Sequence, residues 1–168
     1  GKFGREYPGG YRVFATVTPP GVSSKLSNDE RQAMATTTLG QDNFEATIKD
    51  HEIVLVDFWA SWCGPCKASF PALNRLQKKY GPKGLVIVGV GVDDDAAKYQ
   101  AFAKKMSASF PLAHDSAHKA AAKFNPQSMP SSYLIDRKGV IRYVHTGFHP
   151  KKTEKEYSTE IEALLDGK

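Results

Sequence analysis

The chain has 168 residues, 40% apolar and 11% aromatic, which suits one packed domain with residues to spare for an extension. Its net charge of +5 sits on lysines interleaved with acids, without a basic block of interleaved aromatics, and this argues against a nucleic-acid partner. Two cysteines cannot build a disulfide framework or a four-thiolate zinc site, and no apolar run approaches the ~20 residues of a membrane helix.

Residues 1–38 differ in pattern from the rest of the chain. Tyr7-Pro8-Gly9-Gly10-Tyr11 signals a turn, and residues 12–17 read as a strand in a hairpin with residues 3–7. Pro19-Pro20-Gly21 breaks any element, and Ser27-Asn28-Asp29-Glu30 reads as a capping box that opens a short helix. The segment is an accessory hairpin or a flexible arm. The first residue is Gly1 rather than Met, so a leader, an anchor or a tag is expected to have been removed upstream; Met34 is a second candidate start.

From Thr36 the pattern is regular. Residues 42–49 are predicted as a short helix with Asp42 as N-cap. Ile53–Trp59 is an apolar run suited to a strand buried on both faces. Residues 66–80 are predicted as a helix with Phe70, Leu73, Leu76 and Tyr80 on one side. Pro71 removes a backbone donor inside it and is expected to kink it. Residues 85–92 form a second, β-branched strand. Ala96–Met106 is a helix that turns Tyr99, Phe102, Ala103 and Met106 inward. Residues 110–113 read as a short strand and 116–124 as a further helix. Residues 132–135 and 140–144 flank Asp136-Arg137-Lys138-Gly139, a hairpin turn that needs positive φ at Gly139. Residues 153–165 close the chain as an amphipathic helix through Tyr157, Ile161, Leu164 and Leu165. The order β-α-β-α-β-α-(β)-α-β-β-α is α/β: a mixed central sheet flanked by helices on both faces.

The chemistry concentrates at Trp62-Cys63-Gly64-Pro65-Cys66, directly after the first buried strand. A strand-to-helix junction puts Cys63 at a helix N-terminus, where unpaired N–H groups favour thiolate over thiol. Cys66 lies one turn in, close enough for the two sulfurs to close a small ring. A zinc reading would recruit His114 and His118, spaced i, i+4, but they stand too far along the chain for the ~12–15 residues of a finger. His145 and His149 read as surface residues. Asp93-Asp94-Asp95 reads as an acidic cluster at a helix N-terminus.

The stretch Val54-Leu55-Val56-Asp57-Phe58-Trp59-Ala60-Ser61-Trp62-Cys63-Gly64-Pro65-Cys66-Lys67 resembles the active-site strand and loop of thioredoxin. The likeness runs over residues 36–166. Ser128-Met129-Pro130-Ser131-Ser132-Tyr133-Leu134-Ile135-Asp136 resembles that family's cis-proline loop and its adjoining strand, and Thr146-Gly147 its glycine loop. The stretch from Val92 to Pro130 is longer than in a minimal thioredoxin. With its added helix, the Ser109-Phe110-Pro111-Leu112 segment and the 135–139 hairpin, it is similar to the TlpA/ResA-type branch of bacterial thiol–disulfide reductases. Asp57 looks more like thioredoxin itself, because many of that branch carry asparagine there. The lysine that thioredoxins place near this acid falls at about Gly89.

The resemblance implies a thioredoxin fold over residues 39–168, with an inserted α(β) unit before the cis-proline loop and an N-terminal extension over residues 1–38. It implies thiol–disulfide exchange in which Cys63 attacks a disulfide of a partner protein and Cys66 resolves the mixed disulfide. Asp57 is the implied base for Cys66. Burial in an apolar strand favours its neutral form and raises its pKa toward the working range. The competing reading of Asp57 is an acid at a strand edge paired with a surface lysine. Trp62, Gly64, Pro65 and Lys67 complete the loop, and Trp62, Met129, Pro130 and Gly147 form the implied substrate surface, with Met129–Pro130 expected to be cis. No cofactor and no metal is implied. The partners are a disulfide-bonded protein and an upstream thiol reductant, and a monomer is expected. The TlpA-type likeness favours a place outside the cytoplasm, with a membrane tether removed from this chain; the cytoplasm stays open. Two other functions compete: a binding or metallochaperone module using the cysteine pair as ligands, and a peroxidase of the peroxiredoxin class, against which Cys66 argues.

Overall fold

The computed structural model describes residues 5–7, 11–13 and 51–167. The expected helices after Ser27 and over 42–49, and the division at residue 38, lie outside the described residues. β1 (Arg5–Tyr7) and β2 (Tyr11–Val13) form an antiparallel hairpin, with Arg5 opposite Val13 and Tyr7 opposite Tyr11.

β3 (Ile53–Trp59) is buried at every position, as a run that is apolar everywhere but Asp57 suits a central strand. β4 (Leu85–Gly91) lies parallel to it on one side and β6 (Ser131–Ile135) antiparallel on the other. β5 (Leu112–His114) and β7 (Ile141–Thr146) are the outer strands, giving the order β5-β4-β3-β6-β7 in one mixed sheet. The helices are α1 (Gly64–Tyr80), α2 (Ala96–Met106), α3 (Lys119–Phe124) and α4 (Lys152–Leu165). The parallel pair β3–β4 needs a crossover, and α1 supplies it. No helix among the described residues is long and apolar enough to cross a membrane.

Side chains alternate along β3, so Asp57 and Trp59 share one face and Phe58 takes the other. Phe58 meets Phe124 of α3 at 5.4 Å and Tyr133 of β6 at 5.9 Å between ring centroids. Trp59 meets α1 edge-on through Phe70 at 5.6 Å and stacks on Tyr99 and Phe102 of α2 at 5.2 and 4.8 Å. Helices therefore cover both faces. The indole needs room, and β4 leaves it by carrying glycine. A Cβ on Gly91 would fall 2.6 Å from the Tyr99 ring and 2.8 Å from Trp59.

Local chemistry moved some boundaries. α1 begins at Gly64 rather than at residue 66, because Cys63 is its N-cap and Pro65 in the first turn needs no N–H partner. It runs on through Pro71 to Tyr80. β5 occupies 112–114 rather than 110–113; Pro111 has no N–H for a ladder, though its carbonyl accepts from the Gly89 amide at 2.9 Å. α3 starts at Lys119 rather than at residue 116. Asp115 Oδ1 and Oδ2 accept from the amides of Ala120 and Ala121, and His118 takes a left-handed φ of 52° before the first turn. Gly139 has the expected positive φ, 77°.

Candidate active site

The turn after β3 delivers Cys63 to the head of α1, with its amide donating to the Ala60 carbonyl at 3.1 Å. Cys63 and Cys66 are joined by a disulfide, with their Cα atoms 5.3 Å apart. The Cys66 amide donates to Cys63 Sγ at 3.2 Å, so the sulfur caps the helix. In the reduced protein the same amide and the positive end of α1 favour a charged sulfur at Cys63. Cys63 is 4% exposed and Cys66 is fully buried, so only the first cysteine of the pair reaches the surface. Trp62 beside it is 71% exposed. Gly64, Pro65 and Lys67 are exposed as well.

A second anchor holds the loop and was missed by the sequence reading. Asp93 is buried, and its carboxylate accepts from the Ser61 amide at 2.9 and 3.2 Å and from the Ser61 hydroxyl. Its carbonyl lies 2.6 Å from a ring nitrogen of His114. The three consecutive acids thus divide. Only Asp95 caps α2, accepting from the Ala97 and Lys98 amides at 2.8 and 3.3 Å, while Asp94 pairs with His118 at 2.9 Å. The contact follows from the fold: β3 and β4 are parallel with Trp59 opposite Gly91, which sets Ser61 and Asp93 at matching places two residues beyond each strand.

Asp57 lies in the central strand, opposite Gly89 on β4 and Ser132 on β6. It is 1% exposed, which overturns the reading of an edge acid paired with a surface lysine. Its Oδ1 accepts from Ser132 Oγ at 2.7 Å, and that Oγ shares a second hydrogen bond of 2.6 Å with the Tyr157 hydroxyl of α4. Its Oδ2 has no partner among the described residues. Burial pushes the carboxyl up to about 7, with the Ser132 hydrogen bond pulling the other way. The place a lysine takes in thioredoxins is closed here. A Cβ on Gly89 would already meet Leu112 at 2.6 Å and Trp59 Nε1 at 3.1 Å.

The Met129–Pro130 bond is cis. Pro130 precedes β6, and the pairing of Phe58 with Ser131 puts it at the same sheet end as Trp59. Its carbonyl accepts from the Gly147 amide at 2.7 Å, which brings the glycine loop to that end too. Gly147 has φ 78° and open space where a Cβ would stand; Met129 is half-buried. Cys63, Asp93, Pro130 and Gly147 therefore converge at one end of the sheet. Of the histidines, His114 reaches that end through its contact with the Asp93 carbonyl. His149 is exposed as read, but His145 is a correction: its side chain is only 14% exposed, bonded to Glu160 at 2.7 Å. It stands opposite Ser132 on β7, and α4 covers it. No cluster of three or more His, Cys, Asp or Glu among the described residues could hold a metal ion.

A five-stranded mixed sheet with a cysteine pair after its central strand and a cis-proline at the same end defines a member of the thioredoxin superfamily. The Redoxin family model matches residues 26–161, and the chain belongs to that family, in its TlpA/ResA-type branch. Thioredoxin-like protein YneN of Bacillus subtilis is 37% identical over 116 residues, covering 67% of this chain and 63% of that protein. The chain thus spans less than two thirds of the length of this relative. Thiol-disulfide oxidoreductase ResA of Geobacillus kaustophilus is 27% identical over 132 residues, covering 73% of this chain and 76% of that protein. A crystal structure described as a thiol:disulfide interchange protein DsbE, from Chlorobium tepidum, matches with a TM-score of 0.68 at 37% identity, covering 71% of this chain and 84% of that one.

Proposed function

We propose that this protein is a thiol–disulfide oxidoreductase that reduces disulfides in partner proteins. The observation that carries the reading is the seat of Cys63: a barely exposed cysteine at the head of α1, its sulfur accepting the Cys66 amide, with a fully buried second cysteine joined to it. The names of the ResA and DsbE relatives support the same chemistry.

In the reduced protein the Cys63 thiolate attacks one sulfur of the substrate disulfide. The other substrate sulfur leaves as a thiolate and takes a proton. Cys66 then loses its proton to the Asp57 carboxylate and attacks Cys63 Sγ, expelling the first substrate sulfur. The substrate gains two electrons and two protons, and the protein is left with the Cys63–Cys66 disulfide. Asp57 suits the base role because its pKa of about 7 keeps part of it ionised at neutral pH while still able to hold a proton. An upstream dithiol restores the reduced state. Trp62, Met129 and Gly147 offer the substrate an apolar, close-approach surface beside the sulfur, and the backbone next to Pro130 can pair with an extended peptide.

The test is reduction of a protein disulfide with dithiothreitol as donor. Cys63→Ser is expected to abolish it, and Cys66→Ser to accumulate a mixed disulfide at Cys63. A Cys66 variant that traps nothing and turns over fully contradicts the order of attack. The reductase direction predicts a potential for the pair near the about −270 mV of thioredoxin, not the about −120 mV of a strong oxidant.

A further inference from the structure

Asp57 is tied to α4 through two hydroxyls. Ser132 Oγ lies 2.7 Å from Asp57 Oδ1 and 2.6 Å from the Tyr157 hydroxyl, and each of the three residues is 1% exposed. Each hydroxyl has one proton to donate. When Ser132 donates to the carboxylate, only its lone pairs are left for Tyr157, so Tyr157 donates to Ser132. An ionised Asp57 therefore has both O–H groups aligned toward it. Its Oδ2, without a partner among the described residues, takes up a proton while that alignment stays intact.

We propose that Ser132 and Tyr157 are positioning residues for the resolving step: their aligned hydroxyls hold the ionised form of Asp57 and leave Oδ2 to take the proton from Cys66. The proposal rests on the thiol–disulfide reading. A hydroxyl bonded to a carboxylate favours the charged form, and more so where water is excluded. Without the two hydroxyls the buried acid stays neutral to higher pH, and a neutral acid cannot accept the thiol proton. The surrounding groups fit this role. β4 presents Gly89, with no side chain, and α1 carries the cysteines. α4 brings Glu156 and Glu160 beyond Tyr157. β7 brings His145, edge-on to the Tyr157 ring at 4.7 Å, bonded to Glu160 and 3.8 Å from Glu156. Burial, and after it the charges of Asp57, Glu160 and Glu156, push the Tyr157 hydroxyl up, so it remains a donor.

The test combines two readings of Ser132→Ala, Ser132→Thr and Tyr157→Phe. One is the carbon-13 NMR titration of the Asp57 carboxyl in the oxidised protein. The other is the pH profile of single-turnover resolution of the mixed disulfide. Ser132→Ala is expected to raise both midpoints by about one pH unit. Tyr157→Phe is expected to raise them by less, and Ser132→Thr to restore them. Should Ser132→Ala not fold, Tyr157→Phe, which removes a single oxygen, decides by the same readings. Unmoved carboxyl midpoints in the folded variants overturn the proposal, as does a carboxyl midpoint that moves while the resolution profile stays in place. A wild-type protein that reduces no disulfide counts instead against the thiol–disulfide reading, and the carboxyl titration then decides the hydroxyl chain alone.

Discussion

Asp57 is the one ionisable side chain in a strand whose other members are all apolar, and it is buried to 1% exposure. Water solvates it in the unfolded chain and not in the fold, so its carboxyl moves from 3.8 to about 7. Between those values the folded state holds the proton and the unfolded state does not. The stability this group contributes is therefore fully present below 3.8 and is lost as pH rises through about 7. The ionised form then costs the fold on the order of 4 kcal/mol as an upper bound. Asp57→Asn is thus expected to raise the urea midpoint at pH 8 and to leave it little changed at pH 4. The same variant is expected to slow resolution of the mixed disulfide by about 10²–10⁴-fold. Equal urea midpoints for the variant and the parent at pH 8 would contradict the buried-acid account.

At the scale of elements, the end of β4 is shaped around Trp59. Tyr99 and Phe102 stack on the indole and Phe70 meets its edge, so α1, α2 and β3 share one aromatic cluster beneath the cysteine loop. Gly91 makes the fit possible. Gly91→Ala would press a methyl group against two rings and is expected to cost about 1–3 kcal/mol. Chemical denaturation checks it, and an unchanged midpoint would mean that α2 packs more loosely than these ring contacts require. The loop above this cluster is held separately, by Asp93 on Ser61, so the sulfur's seat depends on contacts between the ends of two parallel strands.

For the molecule as a whole, what could be read from the sequence was local. The apolar run into Cys63, the glycine turn at Gly139 and the apolar stripe of α4 each arise from neighbours in the chain, and the mixed sheet from their order. The likeness of Met129-Pro130 to a cis-proline loop added the cis bond. What escaped depended on which strands lie side by side. Ser61 finds Asp93 only because β4 is parallel to β3, and Asp57 finds Ser132 only because β6 flanks the other side. Tyr157 read as one more apolar contact of α4, yet its hydroxyl enters the polar chain behind Asp57. His145 read as exposed because alternation on an edge strand does not reveal a helix lying over it. The start of α3 was misplaced because a side chain, Asp115, takes the amides that an earlier first turn would have used.

The whole arrangement serves one sulfur, and the pH dependence of its alkylation in the reduced protein is the most direct measurement. Cys63 is expected to react with iodoacetamide along a titration well below the about 8.5 of an ordinary thiol, while buried Cys66 stays protected. A Cys63 that titrates at or above that value, and alkylates no faster than free cysteine, would contradict that expectation.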